Sequence, residues 1–144
     1  MSYWEHIKEA YKETSIYDGA VTFRYEFARL PAHIGDLLAT HWLLSEISNG
    51  GLHQFFANST GVLAPEALRG FERMELAEVA ELIRRAMAHF GSTYPREQQD
   101  REAFLGSHGP ETFEPIEQRL CEIGGPDLSK IYDQMDSYAA RNAA

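Results

Sequence analysis

The sequence predicts an all-α fold, a single compact bundle of about six to eight helices that spans residues 1–144. Apolar residues recur at helical spacing in most segments, whereas strict alternation of apolar and polar residues is confined to one segment. A content of 44% hydrophobic and 24% charged residues is typical of a globular domain. No linker rich in Gly, Ser or Pro divides the chain, and no repeat is present, which indicates one domain.

The N-terminal third contains signals for two helices. Ser2 and Glu5 form a capping-box pattern that opens the first helix, and Gly19 is expected to end it. Pro31 suits the first turn of the next helix, which is expected to end at Asn49 and Gly50. The positions that follow helical spacing are Trp4, Ile7 and Tyr11 in the first helix, and Ile34, Leu37, Leu38, His41 and Trp42 in the second.

The rest of the chain predicts further helices. The clearest is Glu75 to Phe90, where apolar residues fall on one stripe and Gly91 follows as a natural end. Pro65 and Pro95 are expected to open two more helices, and Asp127 to cap a last one. The apolar positions are Leu76, Val79, Ala80, Ile83 and Met87, then Phe113, Ile116 and Leu120, then Leu128, Ile131, Tyr132, Met135 and Tyr138.

One segment departs from helical spacing. Within Thr22 to Leu30, three aromatic residues alternate with Arg24 and Glu26, which is the period of a half-buried strand. A lone strand has nothing to pair with in this chain. The segment is therefore expected to be either helical, or extended and covered by the bundle.

The charge balance limits the classes of function. The chain has 13 basic and 22 acidic residues, and its formal net charge is −9. Direct binding to nucleic acid or to an anionic membrane needs basic patches, so neither is expected. No apolar run of about 18 residues and no secretory leader occurs, which favours a cytoplasmic protein. Cys121, the single cysteine, has no disulfide partner and is expected to be a small core or boundary residue.

The stretch SEISNGGLHQFFANSTG, residues 45–61, allows two interpretations. In the structural one, the Asn-Gly-Gly run ends a helix by left-handed backbone, and Gly50→Val costs more than about 2 kcal/mol through forbidden backbone angles. In the functional one, Asn49, His53, Gln54 and Asn58 line a pocket for a small polar ligand. Alternatively, His53, Gln54 and Asn58 serve an uncharacterised hydrolase. The residues concerned in either case are Asn49, Gly50, Gly51, His53, Gln54, Phe55, Phe56, Asn58, Ser59 and Gly61.

Recognisable catalytic and metal-binding patterns are missing from the sequence. The six histidines form no H-E-x-x-H motif, and no nucleophile elbow, P-loop or dinucleotide fingerprint occurs. His41, on the apolar stripe beside Trp42, is typical of a satisfied core histidine. We therefore expect a non-enzymatic protein without metal or cofactor.

The sequence resembles a bacterial domain-of-unknown-function family that contains a DNA-mimic protein. The resemblance lies in the string EISNGGLHQFFANSTG, in LPAHIGDLLATHWL before it, and in APEALRGFERM, AELIRRAMAHFG and YDQMDSY after it. The resemblance covers about residues 30–138, and it is carried chiefly by the pattern NGGxxQFFxNSxG at Asn49 to Gly61. Leu52 stands where the family commonly has an aromatic residue. The resemblance implies an all-α domain without cofactor, and an acidic surface that imitates duplex DNA and occupies a DNA-binding protein.

The acidic excess lies where such a surface would be expected. The segment from Glu97 to Asp136 holds ten acidic and three basic residues. One row of helical carboxylates, about 5–6 Å apart, is sparser than the charges of duplex DNA, so two rows together are needed. The predicted partner-binding residues are Glu111, Glu114, Glu117 and Glu122 on one helix and Asp127, Asp133 and Asp136 on the next. A homodimer is a further expectation, with Trp4 or Tyr94 as exposed aromatic anchors.

Overall fold

The computed structural model describes residues 2–143, and this part of the chain contains helices and no strand. The eight α-helices are α1 (Trp4–Glu13), α2 (Ala20–Ala28), α3 (Ala32–Ala57), α4 (Ala64–Arg73), α5 (Ala77–Ala88), α6 (Gln98–Leu105), α7 (Glu114–Gly124) and α8 (Ser129–Arg141). Two short 3₁₀ helices, Ser59–Leu63 and Pro110–Thr112, precede α4 and α7. The predicted all-α bundle of six to eight helices is confirmed.

Helix α3 is the centre of the bundle. It packs against α1, α4, α6, α7 and α8. Its inward side chains lose all contact with solvent, namely Leu37, Leu38, Leu43, Leu44, Leu52, Phe55 and Phe56. A buried carboxylate ties it to two neighbours, because Asp36 accepts hydrogen bonds from Arg73 Nη1 at 2.7 Å and from Tyr138 Oη at 2.6 Å.

The segment with strand-like alternation is helical. Phe23 and Phe27 lie four residues apart, which also places them on one face of a helix. Phe23 is fully buried, while Tyr25 on the other face is 68% exposed. Phe27 packs on α3 where Gly35 leaves room for its ring, since a Cβ there would lie 3.1 Å from Phe27 Cζ. This packing decides between the helical and the extended alternative in favour of α2.

Several helix ends differ from the sequence expectations. The first helix ends at Glu13, and Gly19, with a φ of 93°, instead precedes α2. Pro95 opens no helix, because α6 begins at Gln98. Asp127 lies one residue before the N-cap of α8, which is Leu128, and its carboxylate accepts the Ser129 N–H at 3.1 Å.

The helix predicted from Glu75 to Phe90 also begins later, at Ala77. Glu75 has a left-handed φ of 63°, and Leu76 donates its N–H to the Phe71 carbonyl at 2.9 Å. This is a Schellman ending of α4, with a glutamate in the position that usually holds glycine. Apolar spacing continues across it, so the pattern alone places the boundary too early.

No helix within residues 2–143 is long and apolar enough to cross a membrane.

Candidate functional site

The Asn-Gly-Gly stretch marks a break within α3. Gly51 has a φ of 90° and a ψ of 179°, and helical backbone resumes directly after it. Residues 52–57 therefore form a separate short helix, here called the motif helix. The expectation that the left-handed position is Gly50 was wrong: Gly50 is helical, and the positive φ belongs to Gly51. Such backbone is open almost only to glycine.

A carboxylate from α7 binds the start of the motif helix. Glu117 Oε2 accepts the Leu52 N–H at 2.9 Å. A Cβ on Gly51 would collide with the same carboxylate. Gly51 is thus required twice, for its backbone angles and for the close approach of Glu117. A negative charge at this end is favourable because the first N–H groups of a helix lack partners.

An arginine from α6 binds the other end. The Arg101 side chain is fully buried, and it donates from Nε to the Phe56 carbonyl at 2.8 Å and from Nη2 to the Asn58 carbonyl at 2.9 Å. Its Nη1 donates to the Arg96 carbonyl at 2.6 Å. No carboxylate pairs with it within the described residues, and burial lowers the pKa of its guanidinium. The guanidinium thus donates to backbone carbonyl groups that have no partner within the helix at the end of the motif helix.

Two further side chains support this junction. Gln98 Nε2 donates to the Ala57 carbonyl at 2.9 Å. Gly61 leaves room for the arginine, since a Cβ there would lie 2.7 Å from Arg101 Nε and 2.8 Å from the Phe55 carbonyl oxygen. Phe55 and Phe56 are themselves fully buried. The geometry supports the structural interpretation of the motif.

The polar residues proposed for a pocket have other contacts. Asn58 Nδ2 donates to Glu46 Oε2 at 2.7 Å, and Gln54 Nε2 lies 3.4 Å from the same oxygen. His53 is half-buried and makes no side-chain hydrogen bond within residues 2–143. A cleft of about 330 Å³ beside the motif includes Ser59 in its lining, but not His53, Gln54 or Asn58. The structure does not bring these three side chains together around that cavity.

The predicted acidic surface divides into two groups. Glu117 and Asp136 are half-buried and hold backbone N–H groups, since Asp136 Oδ1 accepts the Tyr3 N–H at 2.7 Å. The other five acids are exposed: Glu111, Glu114, Glu122, Asp127 and Asp133. Glu111 lies in the 3₁₀ helix before α7, not on α7 as expected. Within residues 2–143, Glu111, Glu114 and Asp133 make no ion pair or side-chain hydrogen bond to another residue.

The three basic residues of this segment differ in how much positive charge they leave at the surface. Arg101 is buried in the junction. Arg119 is shared between two carboxylates, Glu78 at 2.6 Å and Glu122 at 2.9 Å. Lys130 is exposed. The five exposed acids lie on, or directly before, two helices that pack against each other, and the surface that carries them is here called the α7–α8 face.

The other residues singled out in the sequence are the candidate metal ligands, the single cysteine and two aromatic residues. Within residues 2–143, no group of three or more His, Cys, Asp or Glu side chains is arranged to hold a metal ion. Cys121 is exposed, not a core residue as expected. Trp4 and Tyr94 are half-buried, so neither is the exposed anchor predicted for a dimer.

His41 lies inside an aromatic cluster. Its Nδ1 is hydrogen-bonded to Tyr3 Oη at 2.8 Å, and the rings of Trp4, Tyr11 and Trp42 surround it. Burial lowers its pKa to about 4. It is the satisfied core histidine that its position on the apolar stripe predicts.

Sequence reasoning missed the role of Arg101. A usable signal exists, because Arg101 lies four residues before the buried Leu105 and three after Gln98, on the inward face of α6. An arginine on an inward face needs partners, and the free carbonyl groups of a helix end can supply them.

The chain is an all-α domain with a glycine break in its central helix and several exposed acids on or next to its last two helices. It belongs to the family of DMP19-like proteins, whose family model matches residues 28–142. The match includes α3 to α8, the motif and all seven predicted acids, and it confirms the resemblance seen in the sequence. Comparisons with curated proteins and with solved structures each gave no match.

Proposed function

We propose that this protein is a non-enzymatic DNA mimic of the cytoplasm, which occupies the DNA-binding surface of a basic DNA-binding protein. Membership of the DMP19-like family supports this function. The contact surface is the α7–α8 face, and its partner-binding residues are Glu111, Glu114, Glu122, Asp127 and Asp133. Glu117 and Asp136 act within the fold, because their carboxylates already bind backbone N–H groups.

The observation that carries the proposal is the net negative charge of two adjacent helices, where five exposed acids outnumber the exposed bases Arg119 and Lys130. Arg101 is withdrawn into the core, and Arg119 is already bound to Glu78 and Glu122. Carboxylates on neighbouring helices approach the charge density of duplex DNA more closely than one row can. Complementary charge also steers association, with a Debye length of about 8 Å at physiological salt. Binding should therefore weaken as salt is raised.

The test begins with affinity capture from an extract of the source organism at low salt. The recovered partner is then titrated with wild-type protein and with Glu114→Lys/Asp133→Lys, which reverses two exposed charges of the α7–α8 face. The control is Glu9→Lys/Glu13→Lys, which makes the same charge change at exposed positions of α1. We expect the first variant to weaken binding at least about tenfold and the control to change it much less.

Equal effects of the two double variants would show that net charge, and not this face, determines binding. Unchanged affinity in both would contradict an electrostatic interface altogether. Glu117→Lys is unsuitable for this purpose, because it also removes the contact with Leu52.

A further inference from the structure

A second cleft of the molecule has a charge opposite to that of the α7–α8 face. It lies between α2, the start of α3 and α4, and its volume is about 590 Å³. The half-buried Phe27 and Leu30 give it apolar surface, and Tyr25 adds a ring that is 68% exposed. Small-molecule sites have this size and this mixture of apolar walls with a few charged groups.

Three arginines and two carboxylates line the cleft. The three cations are Arg24, Arg69 and Arg73, and the two anions are Asp36 and Glu66. The sign of the charge left for a ligand depends on which of them are already paired.

Both carboxylates already have close partners. Asp36 is bound by Arg73 at 2.7 Å and by the Tyr138 hydroxyl. Glu66 receives two hydrogen bonds from Arg96, at 2.7 and 3.0 Å. A bidentate pair of this kind leaves little capacity for a further cation.

The other two arginines are much less engaged. Arg69 Nη2 lies 3.7 Å from Glu66 Oε2, beyond hydrogen-bond distance. Arg24 is exposed and has no ion pair or side-chain hydrogen bond within residues 2–143. Arg29 adds a third positive charge nearby, 5.9 Å from the centre of the Tyr25 ring. The cleft is therefore locally basic, in a chain whose net charge is −9.

We propose that this cleft is a binding site for a small phosphate monoester with a flat apolar group. Arg24 and Arg69 bind the phosphate, because guanidinium groups match its oxygens in geometry and charge. The flat group lies against Tyr25, Phe27 and Leu30, where aromatic and apolar contacts supply the rest of the affinity. The site is independent of the α7–α8 face and involves none of its acids.

The test uses phenyl phosphate as the probe, titrated into the full chain by isothermal calorimetry at constant ionic strength. We expect saturable binding at concentrations up to about 20 mM, with inorganic phosphate and phenol each binding more weakly. Arg24→Gln and Arg69→Gln should each weaken the binding of phenyl phosphate at least about tenfold. Both side chains are exposed, so circular dichroism should show the fold of each variant intact.

Two further variants distinguish binding of the probe in this cleft from nonspecific attraction of its phosphate to any arginine of the surface. Arg85→Gln removes an exposed arginine of α5 that does not line the cleft, and its affinity should equal that of wild type. Tyr25→Ala should weaken the binding of phenyl phosphate more than the binding of inorganic phosphate. Absence of saturable binding, or equal losses in the Arg24, Arg69 and Arg85 variants, would overturn the proposal. Saturable binding of an acidic peptide but not of phenyl phosphate would overturn it in favour of a protein partner.

Discussion

Glu117 and Leu52 are 65 positions apart in the chain, and the carboxylate of the first accepts the backbone N–H of the second at 2.9 Å. This contact fixes α7 to the start of the motif helix. It also explains why glycine stands at position 51, where any side chain would meet the same carboxylate. An acid in the most acidic part of the chain thus has a structural role.

Glu117→Ala should lower the free energy of unfolding by about 1–2 kcal/mol, as loss of a helix cap does. Glu114→Ala is the matched control, because both residues lie in the first turn of α7 and share any effect of its dipole. Urea unfolding of the two variants measures the difference. Equal losses would show that the Leu52 contact adds nothing to stability.

Gly51→Ala should cost more than about 2 kcal/mol, because alanine is strained at a φ of 90° and its Cβ displaces Glu117. Gly50→Ala should stay within about 1 kcal/mol of wild type, since Gly50 is helical and the atoms nearest to its added Cβ belong to the Gln54 side chain, which can shift. Thermal unfolding of both proteins tests this order. A greater loss for the Gly50 variant would mean that the break lies one residue earlier.

Arg101→Met should destabilise the protein by about 3 kcal/mol or more, because it leaves the buried Phe56 carbonyl and the partly buried bonds of Asn58 and Arg96 without their donor. Arg85→Met, at an exposed position, should change the free energy of unfolding by no more than about 0.5 kcal/mol. Chemical denaturation gives both values. Similar values for the two variants would contradict the role assigned to Arg101.

His41 should make stability depend on pH below neutrality. Its pKa is lowered by burial from 6.5 to about 4, so the unfolded chain binds its proton more readily than the folded one. The stabilisation from a neutral His41 is complete above pH 6.5 and is lost as pH falls towards 4. His41→Phe should therefore lose less stability than wild type between pH 6.5 and pH 4.5, by urea unfolding. Parallel pH profiles would refute this contribution.

The sequence predicts the fold class well because apolar spacing depends on local positions alone. Val79, Ala80 and Ile83 reveal α5 without any knowledge of its neighbours. The end of α4 at Glu75 is less visible, since a glutamate occupies the left-handed position that usually holds glycine.

The site was harder to predict because its contacts join distant parts of the chain. Glu117 and Asp136 count as surface acids in the sequence, yet each binds the backbone of a helix far away, at Leu52 and at Tyr3. Gly50 and Gly51 both tolerate a positive φ, and only the approach of Glu117 distinguishes them. The types and spacing of residues in the sequence do not show which distant side chains come into contact in the fold.

The measurement that tests the proposed function most directly is a competition between duplex DNA and this protein for the captured partner. The exposed thiol of Cys121 allows a fluorophore to be attached on α7, beside Glu122, so that binding can be followed by fluorescence anisotropy. We predict that the apparent dissociation constant rises linearly with the DNA concentration, because the two ligands exclude each other. An apparent dissociation constant that is independent of DNA, with a ternary complex in a gel shift, would contradict DNA mimicry.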